Sequence, residues 1–257
     1  METTLDRVLK ALQVQDCHPG ILLDYGLESH DPNVAHGHAG LLERVTEAAK
    51  AKGSCPVYED AYTRWKNYAS ANCATREIGL LNRMHIGLGI PSVLETNVTL
   101  HPLFGLPMIP GEALKGALRS FALASLEGKQ EEMTEAESLA WQQDFDTLFG
   151  RIDQAAVLVM HDAWWVPKSA SLPLHLEVET PHHGDYYKSE GQKPATDYDD
   201  PNLVPQLAVQ GKFLVALDKA SLDGTWAEFA LDLLHQTLAT KGIGGRLFAG
   251  YGRFVQK

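Results

Sequence analysis

The chain has 257 residues, of which 44% are hydrophobic and 21% are charged, and its formal net charge at pH 7 is −11. This length and composition predict a soluble globular protein with one large domain, or one domain with an extension. The acidic balance argues against a protein that binds nucleic acids through its overall charge, because such proteins carry a basic surface. A local basic stripe can still hold RNA, especially in an assembly whose other subunits supply positive charge.

The cysteines and the N-terminus bear on the cellular compartment. The three cysteines, Cys17, Cys55 and Cys73, are widely spaced and form no Cys-x-x-Cys pair, so neither a disulfide framework nor a thiolate zinc site is predicted. The N-terminal stretch lacks the apolar core of a signal peptide, and no apolar run reaches the length of a membrane span. We therefore expect a cytoplasmic protein with no membrane contact.

Residues 1–75 are predicted to form a helical extension that packs on the main domain. Apolar residues recur at helical spacing in residues 5–12, 41–49 and 58–68. Between the first two segments, a polar turn over residues 30–38 contains His36 and His38. No cysteine or further ligand stands at a suitable spacing from these histidines, so no metal site and no cofactor are predicted.

Residues 76–257 are predicted to form one α+β domain. Apolar patterns predict strands over residues 76–87, 155–166, 172–180 and 207–217, with 172–180 as the hairpin partner of 155–166. Helices are predicted after Pro110, over 131–149 and over 225–240, and a last strand over 252–255. The order β, α, β-hairpin, α, β is that of a ferredoxin-like (RRM-like) fold, here with an irregular polar insertion at about 181–205.

The segment over residues 101–119, HPLFGLPMIPGEALKGALR, leads from a proline-rich turn into a helix. Pro110 suits the first helical turn, where its missing N–H costs nothing. Lys115 and Arg119 are four residues apart, so they share one face of the helix. A helix N-terminus with a lysine one turn inside can receive a phosphate. The alternative is an ordinary amphipathic helix with solvated cations.

The C-terminal segment over residues 241–254, KGIGGRLFAGYGRF, has five glycines in eleven residues beside Lys241, Arg246 and Arg253. Such a glycine-rich loop lets the backbone approach a ligand closely. It is neither a Walker A loop, since no Gly-Lys-Ser/Thr follows, nor a dinucleotide fingerprint, since the helix precedes the glycines. A nucleotide cofactor is therefore not predicted, and a glycine-rich turn into a final strand is the simpler alternative.

Four motifs resemble segments of one known family, and they occur in the same order along the chain. IPGEALKGALR resembles the I-P-G-S-S-L-K-G-A-L-R segment of the RAMP superfamily of CRISPR RNA-binding proteins, and GIGGRLFAGYGRF resembles its C-terminal glycine-rich loop. The stretch HIGLGIPSVLETNVTLHPLFGLPMIPG, and TPHHGDYYK followed by PATDYDDPNLVPQLAV, narrow the resemblance. Together they resemble the sixth, small head-end RAMP subunits of the Cmr complex, the type III-B RNA-guided effector, over about residues 76–254. In one departure, Glu112 and Ala113 stand where the family usually has two serines, which removes two hydroxyls and places an anion near the helix start.

The resemblance implies a non-catalytic, RNA-binding structural subunit with a ferredoxin-like fold. Its expected partners are the CRISPR guide RNA, the target RNA and neighbouring RAMP subunits, with target cleavage carried by the backbone subunits. Guide–target pairing would select the sequence, while the protein positions phosphates. The residues expected to contact RNA are Lys115, Arg119, Lys241, Gly244, Gly245, Arg246, Gly250, Tyr251, Gly252, Arg253, His182, His183, Tyr186 and Tyr187.

The insertion at 181–205 leaves three chemistries open. His182, His183 and Asp185 could bind a metal, although adjacent residues on an extended chain point apart. His182 or His183 could act with a tyrosine or Lys188 as general acid and base on a ribose 2′-OH, which makes a metal-independent CRISPR endoribonuclease the alternative function. We favour a loop that stacks on bases or docks on a neighbouring subunit through its tyrosines. A structural cap that touches only protein is a third possible role for the chain.

Overall fold

The computed structural model describes residues 13–27, 37–92, 94, 96–128, 133–180, 184–196, 203–218 and 224–256. In this part the chain is a mixed α+β protein with two antiparallel sheets. The helical segment predicted over residues 5–12, His36, His182 and His183 lie outside the described residues. None of the described helices is both long and apolar enough to cross a membrane.

In the described part of the chain, three α-helices precede the first strand: α1 (Pro19–Tyr25), α2 (Gly37–Gly53) and α3 (Pro56–Asn72). A proline opens α1 and α3, where its missing N–H is harmless, and the His18 side chain caps α1 by accepting from the Ile21 N–H at 3.3 Å. The apolar faces of α2 and α3 join the same hydrophobic core as the sheets. This agrees with the helical pattern predicted before residue 75.

The larger sheet contains β1 (Cys73–Gly79), β2 (Met108–Ile109), β3 (Ala163–Trp165) and β6 (Lys212–Asp218), in the order β1-β6-β3-β2. Every pair in it is antiparallel. Residues 213–217 of β6 are all buried, because helices cover both faces of the sheet. On one face Ala216 packs against Ala69 of α3, and on the other lie the helices α4 (Gly111–Glu127) and α7 (Gly224–Thr240).

A second sheet pairs β4 (Leu174–Glu179) with β5 (Val204–Val209). The prediction that 172–180 pairs with 155–166 is therefore wrong. Only Ala163–Trp165 of the earlier segment forms a strand, and both of its edges are taken, by β2 and by β6. No edge of β3 is left for β4, which instead pairs with the chain that returns from the insertion.

Other predicted boundaries also shift. The single strand predicted over 207–217 is two strands, separated at Gly211, where a φ of 125° and the Trp165 indole 2.3 Å from the position of a Cβ admit only glycine. The strand predicted over 76–87 ends at Gly79, and the last strand is reduced to one bridge between Leu80 and Phe254. The helix predicted over 131–149 is α5 (Glu135–Phe149), and the insertion contains the short helix α6 (Gly184–Lys188).

Candidate RNA-binding site

The glycine-rich loop, residues 241–253, folds back along the chain that follows β1. It leaves α7 through Gly242, whose φ of 78° ends the helix. The Gly245 N–H donates to the His85 carbonyl at 2.8 Å, and the Gly252 N–H donates to the Arg83 carbonyl at 2.8 Å. The loop is therefore fixed to residues 80–85, a segment distant in the sequence.

The loop glycines are required for this close packing. A Cβ at Gly244 would lie 2.3 Å from the His85 carbonyl oxygen, and one at Gly252 would lie 2.0 Å from the Ile243 carbonyl oxygen. Gly242, Gly245, Gly250 and Gly252 all donate their N–H groups to carbonyls of the chain. Because these N–H groups already have acceptors, the loop can offer a ligand mainly its side chains.

A polar cluster lies under the loop, centred on Glu177 of β4. The Glu177 carboxylate accepts from the Arg83 guanidinium at 2.5 Å and from the Tyr251 hydroxyl at 2.6 Å. Two residues further along β4, Glu179 forms an ion pair with Arg246. Alternation along a strand places Glu177 and Glu179 on one face, so both carboxylates meet the loop.

His85 lies behind this cluster and is almost fully buried, with 1% of its surface exposed. Its Nδ1 lies 3.0 Å from the Leu207 carbonyl oxygen, its Nε2 lies 3.5 Å from Glu177 Oε2, and its ring centroid lies 4.4 Å from that of Tyr251. Burial lowers the pKa of His85, which keeps the imidazole neutral. A buried neutral imidazole here supports the loop from behind and presents no open face to RNA.

The titration of Glu177 reflects the same contacts. Burial alone would raise the pKa of its carboxyl, but the hydrogen bonds from Tyr251 and Arg83 outweigh burial and hold the pKa below its usual range. The hydrogen bond to Glu177 in turn raises the pKa of Tyr251. At neutral pH the cluster therefore contains an ionised Glu177 held by two donors.

The outer surface of the loop carries the groups that remain available. Lys241 is exposed and Arg253 half-buried, and within the described part of the chain neither forms an ion pair with a carboxylate. At the tip, the 3₁₀ turn Leu247–Ala249 lies between Arg246 and Gly250, which both have positive φ. Leu247 points inward, its Cδ2 3.0 Å from where Gly252 would carry a Cβ, and Phe248 is fully exposed.

The two cations of α4 have other contacts. The Lys115 ammonium donates to the Leu158 carbonyl at 2.9 Å, and burial lowers its pKa. The Arg119 guanidinium lies 5.1 Å from the centroid of the Phe145 ring. Among the described residues, no hydrogen bond or ion pair joins either side chain to the glycine-rich loop.

The start of α4 is also occupied. The Gly111 N–H donates to Asp162 Oδ1 at 2.8 Å, so a carboxylate of the chain stands where the sequence suggested a phosphate. A Cβ at Gly111 would lie 2.2 Å from the Met160 carbonyl oxygen, which explains the glycine by close packing.

The insertion contributes two aromatic rings. Tyr186 and Tyr187 lie on α6, 38% and 72% exposed, and their ring centroids are 5.4 Å apart in an edge-on arrangement. No group of three or more potential metal ligands occurs among the residues that the structure describes.

Five residues of this site are absent from the set predicted from the sequence: Arg83, His85, Glu177, Glu179 and Phe248. The i, i+2 spacing of both acidic residues and of Arg83 with His85 could have indicated two polar strand faces. Nothing in the sequence indicated that these faces meet, since they lie about ninety positions apart.

Comparison with known proteins supports the same kinship. The model of the RAMP superfamily matches residues 77–255. The CRISPR system Cmr subunit Cmr6 from Pyrococcus furiosus is 28% identical over 274 aligned positions, which cover 84% of this chain and 80% of that protein. The cryo-EM structure of the type III-B Cmr-beta bound to cognate target RNA contains a chain that matches with a TM-score of 0.58 and 19% identity, over 86% of this chain and 71% of that one. The crystal structure of Cmr6 from Pyrococcus furiosus matches with a TM-score of 0.45 and 25% identity, over 72% of this chain and 98% of that one.

The family match confirms the predicted kinship. The family model begins within β1 and spans β2 to β6, α4, α7 and the glycine-rich loop, so it includes the parts on which the resemblance was based. The similarity to Cmr6 extends beyond it to most of both chains. The chain belongs to the RAMP superfamily.

Proposed function

We propose that this chain is the RNA-binding RAMP subunit of a type III-B CRISPR (Cmr) complex, corresponding to its sixth, small head-end subunit. The similarity to Cmr6 over most of both chains carries the proposal. The partners are the guide RNA, the target RNA and other RAMP subunits, and the expected location is the cytoplasm.

The glycine-rich loop is the proposed RNA contact. Lys241 and Arg253 offer positive charge to phosphates, and the exposed Phe248 offers a ring on which an unpaired base can stack. The cluster beneath holds the loop in shape, because Glu177 and Glu179 fix Tyr251 and Arg246. The exposed Tyr187 of α6 is a second stacking position, and the proposal retains His182, His183 and Arg119 as further contacts.

A ferredoxin-like arrangement of the main sheet is part of the proposal. The elements β1, α4, β3, β6, α7 and the segment around Phe254 follow the order β-α-β-β-α-β, with the β4–β5 hairpin inserted between β3 and β6. Their neighbours support it, since Phe254 adjoins β1 through Leu80, β1 adjoins β6, and β6 adjoins β3. The short β2 adds an edge beyond β3.

A non-catalytic role is also part of the proposal. His85, Tyr251 and Glu177 are together the groups that general acid–base cleavage of RNA would use. His85 is buried behind Tyr251, however, and both other groups are hydrogen-bonded to each other, so no reacting 2′-OH can reach the imidazole. The alternative function, RNA cleavage through His182 or His183, predicts that cleavage is lost in His182→Ala with His183→Ala.

The test is co-expression of this chain with the subunits encoded beside it and a guide RNA, with purification through a tag on this chain. We expect related subunits and a discrete short RNA to co-elute, with ultraviolet crosslinks in residues 241–253. Lys241→Glu with Arg253→Glu should reduce these crosslinks about tenfold, whereas Lys168→Glu, a surface cation on a different loop, should not. Unchanged crosslinks would favour a structural cap that touches only protein. RNA cleavage that is lost only in His182→Ala with His183→Ala would favour the endoribonuclease.

A further inference from the structure

An apolar groove lies at the other end of α7 from the glycine-rich loop. It has a volume of about 660 Å³ and runs between α5 on one side and α4 with α7 on the other. Trp226, Phe229 and Leu233 of α7 face Trp141, Phe145 and Leu148 of α5 across it. Trp226 and Phe229 are about half exposed, which is unusual for two large neighbouring side chains of an amphipathic helix.

The α5 wall of the groove is attached to the chain that follows it. Backbone hydrogen bonds fix its C-terminal end, where the Val157 and Leu158 N–H groups donate to the carbonyls of Thr147 and Leu148 at 3.0 and 3.1 Å. On the groove side, Trp141 stacks on Phe145 at 4.9 Å, and Phe145 lies 4.8 Å from Phe149, so the aromatic row is ordered without a partner. The groove is thus a preformed part of the fold.

The charges along the groove select its occupant. Among the described residues that line it, the ionisable side chains are Glu137 and Asp144, both on α5 and seven positions apart, about 10 Å along the helix. The capping box holds the pKa of Glu137 below its usual range through hydrogen bonds from Thr134, so this carboxylate is charged at neutral pH. Arg119 covers one side of Phe145 at the edge of the groove.

A phosphate backbone would be repelled by these carboxylates, and bases alone would not match an apolar row on two helices. The geometry points to an amphipathic helix of a neighbouring protein subunit, whose apolar row enters between α5 and α7 and whose lysines or arginines, two turns apart, face Glu137 and Asp144. This inference rests on the proposed function in that the complex supplies the neighbouring subunit. It assigns the groove to protein and leaves the RNA at the glycine-rich loop, which follows Thr240, about 21 Å along α7 from Trp226.

The experiment uses the co-expressed complex, with a tag on this chain and mass spectrometry of the subunits that co-elute. Phe229→Asp and Asp144→Lys should each lower the yield of one neighbouring subunit at least tenfold. Leu139→Asp is the matched control: Leu139 lies on α5 and is 61% exposed, against 56% for Phe229, but it does not line the groove. It should keep the yield within twofold. Equal melting temperatures of the three purified variant chains would exclude a loss of folding.

A photoreactive phenylalanine analogue at position 229 then identifies the occupant. We expect a crosslinked peptide from another subunit with two basic residues seven positions apart. A crosslink to RNA, to this chain or to a second copy of it would overturn the inference, as would full yield in Phe229→Asp or in Asp144→Lys. If the unaltered chain brings down neither subunits nor guide RNA, the proposed function fails; if it brings down both and the groove variants match it, only the groove inference fails.

Discussion

The two ends of α7 differ in how their surfaces are satisfied. At the C-terminal end, the glycine-rich loop has carbonyl acceptors for most of its glycine N–H groups and carboxylate partners for Tyr251 and Arg246. Near the N-terminal end, Trp226 and Phe229 stand half-exposed over a groove. The loop is thus stabilised within the chain, whereas the groove leaves apolar surface that only a partner would cover. We expect substitutions under the loop to affect folding and substitutions in the groove to affect assembly.

The largest expected effect is on the loop backbone. Gly252→Ala places a Cβ 2.0 Å from the Ile243 carbonyl oxygen at a φ of 65°, so it should lower the free energy of unfolding by about 3 kcal/mol or more. Gly250→Ala is the matched control, because its φ is also positive but nothing lies within 4 Å of the added atom. It should cost about 1 kcal/mol. Urea denaturation measures both, and equal losses would contradict the packing argument.

An intermediate effect is expected at the polar cluster. Glu177→Gln removes the charge that holds Arg83 and Tyr251, which should cost about 2 kcal/mol because the half-buried guanidinium keeps no ionised partner. Glu59→Gln is a suitable comparison, since Glu59 pairs with Lys168 at a similar distance of 2.7 Å but on a more exposed surface. We expect its cost to stay below about 1 kcal/mol. The urea midpoints of the two variants measure these two stability losses.

A smaller effect is expected from pH. Burial lowers the pKa values of His18, His85, His101 and His175 in the folded chain. Below the unfolded pKa of about 6.5 the unfolded chain therefore binds more protons than the folded one, so stability present above that pH is lost as pH falls. The urea midpoint of unfolding should therefore decrease as the pH is lowered from 7.5 to 5.5. His85→Gln should reduce this fall, whereas Phe229→Ser should not, because no described histidine lines the groove.

The smallest expected effect is in the groove of the isolated chain. Phe229→Ser should change the free energy of unfolding by no more than about 0.5 kcal/mol, because the side chain is already 56% exposed. Leu234→Ala, five residues further along α7 and buried, should cost about 2–5 kcal/mol. A large loss in Phe229→Ser would show that the groove is part of the core, and the contrast between the two ends of α7 would disappear.

Local patterns allowed a good part of the fold to be predicted. The apolar spacing in α7 and the glycine after it gave a predicted helix over 225–240, against Gly224–Thr240 in the structure. Pro110 correctly indicated a helix start, although it is the residue before the first turn of α4. The hairpin prediction was wrong because alternation identifies a strand and says nothing of its partner.

The candidate site shows the same division. The glycines and cations of residues 241–253 were visible in the sequence. The sequence did not indicate, however, that the Lys115 ammonium donates to the Leu158 carbonyl. The sequence also did not indicate that Asp162, 51 positions from Gly111, accepts the Gly111 N–H at the start of α4. Both contacts depend on long-range packing, so no spacing rule indicates them.

The sequence by itself determined the membership in the RAMP superfamily, the positions of the main helices and the glycine-rich character of the C-terminal loop, because these depend on local order along the chain. Only the tertiary structure decided that β4 pairs with β5, that Glu177 and Glu179 hold the loop, and that Trp226 and Phe229 face Trp141 across a groove. The physical reason is that strand edges, buried charges and apolar walls find their partners through the packing of the whole chain, and the local sequence carries no record of that choice.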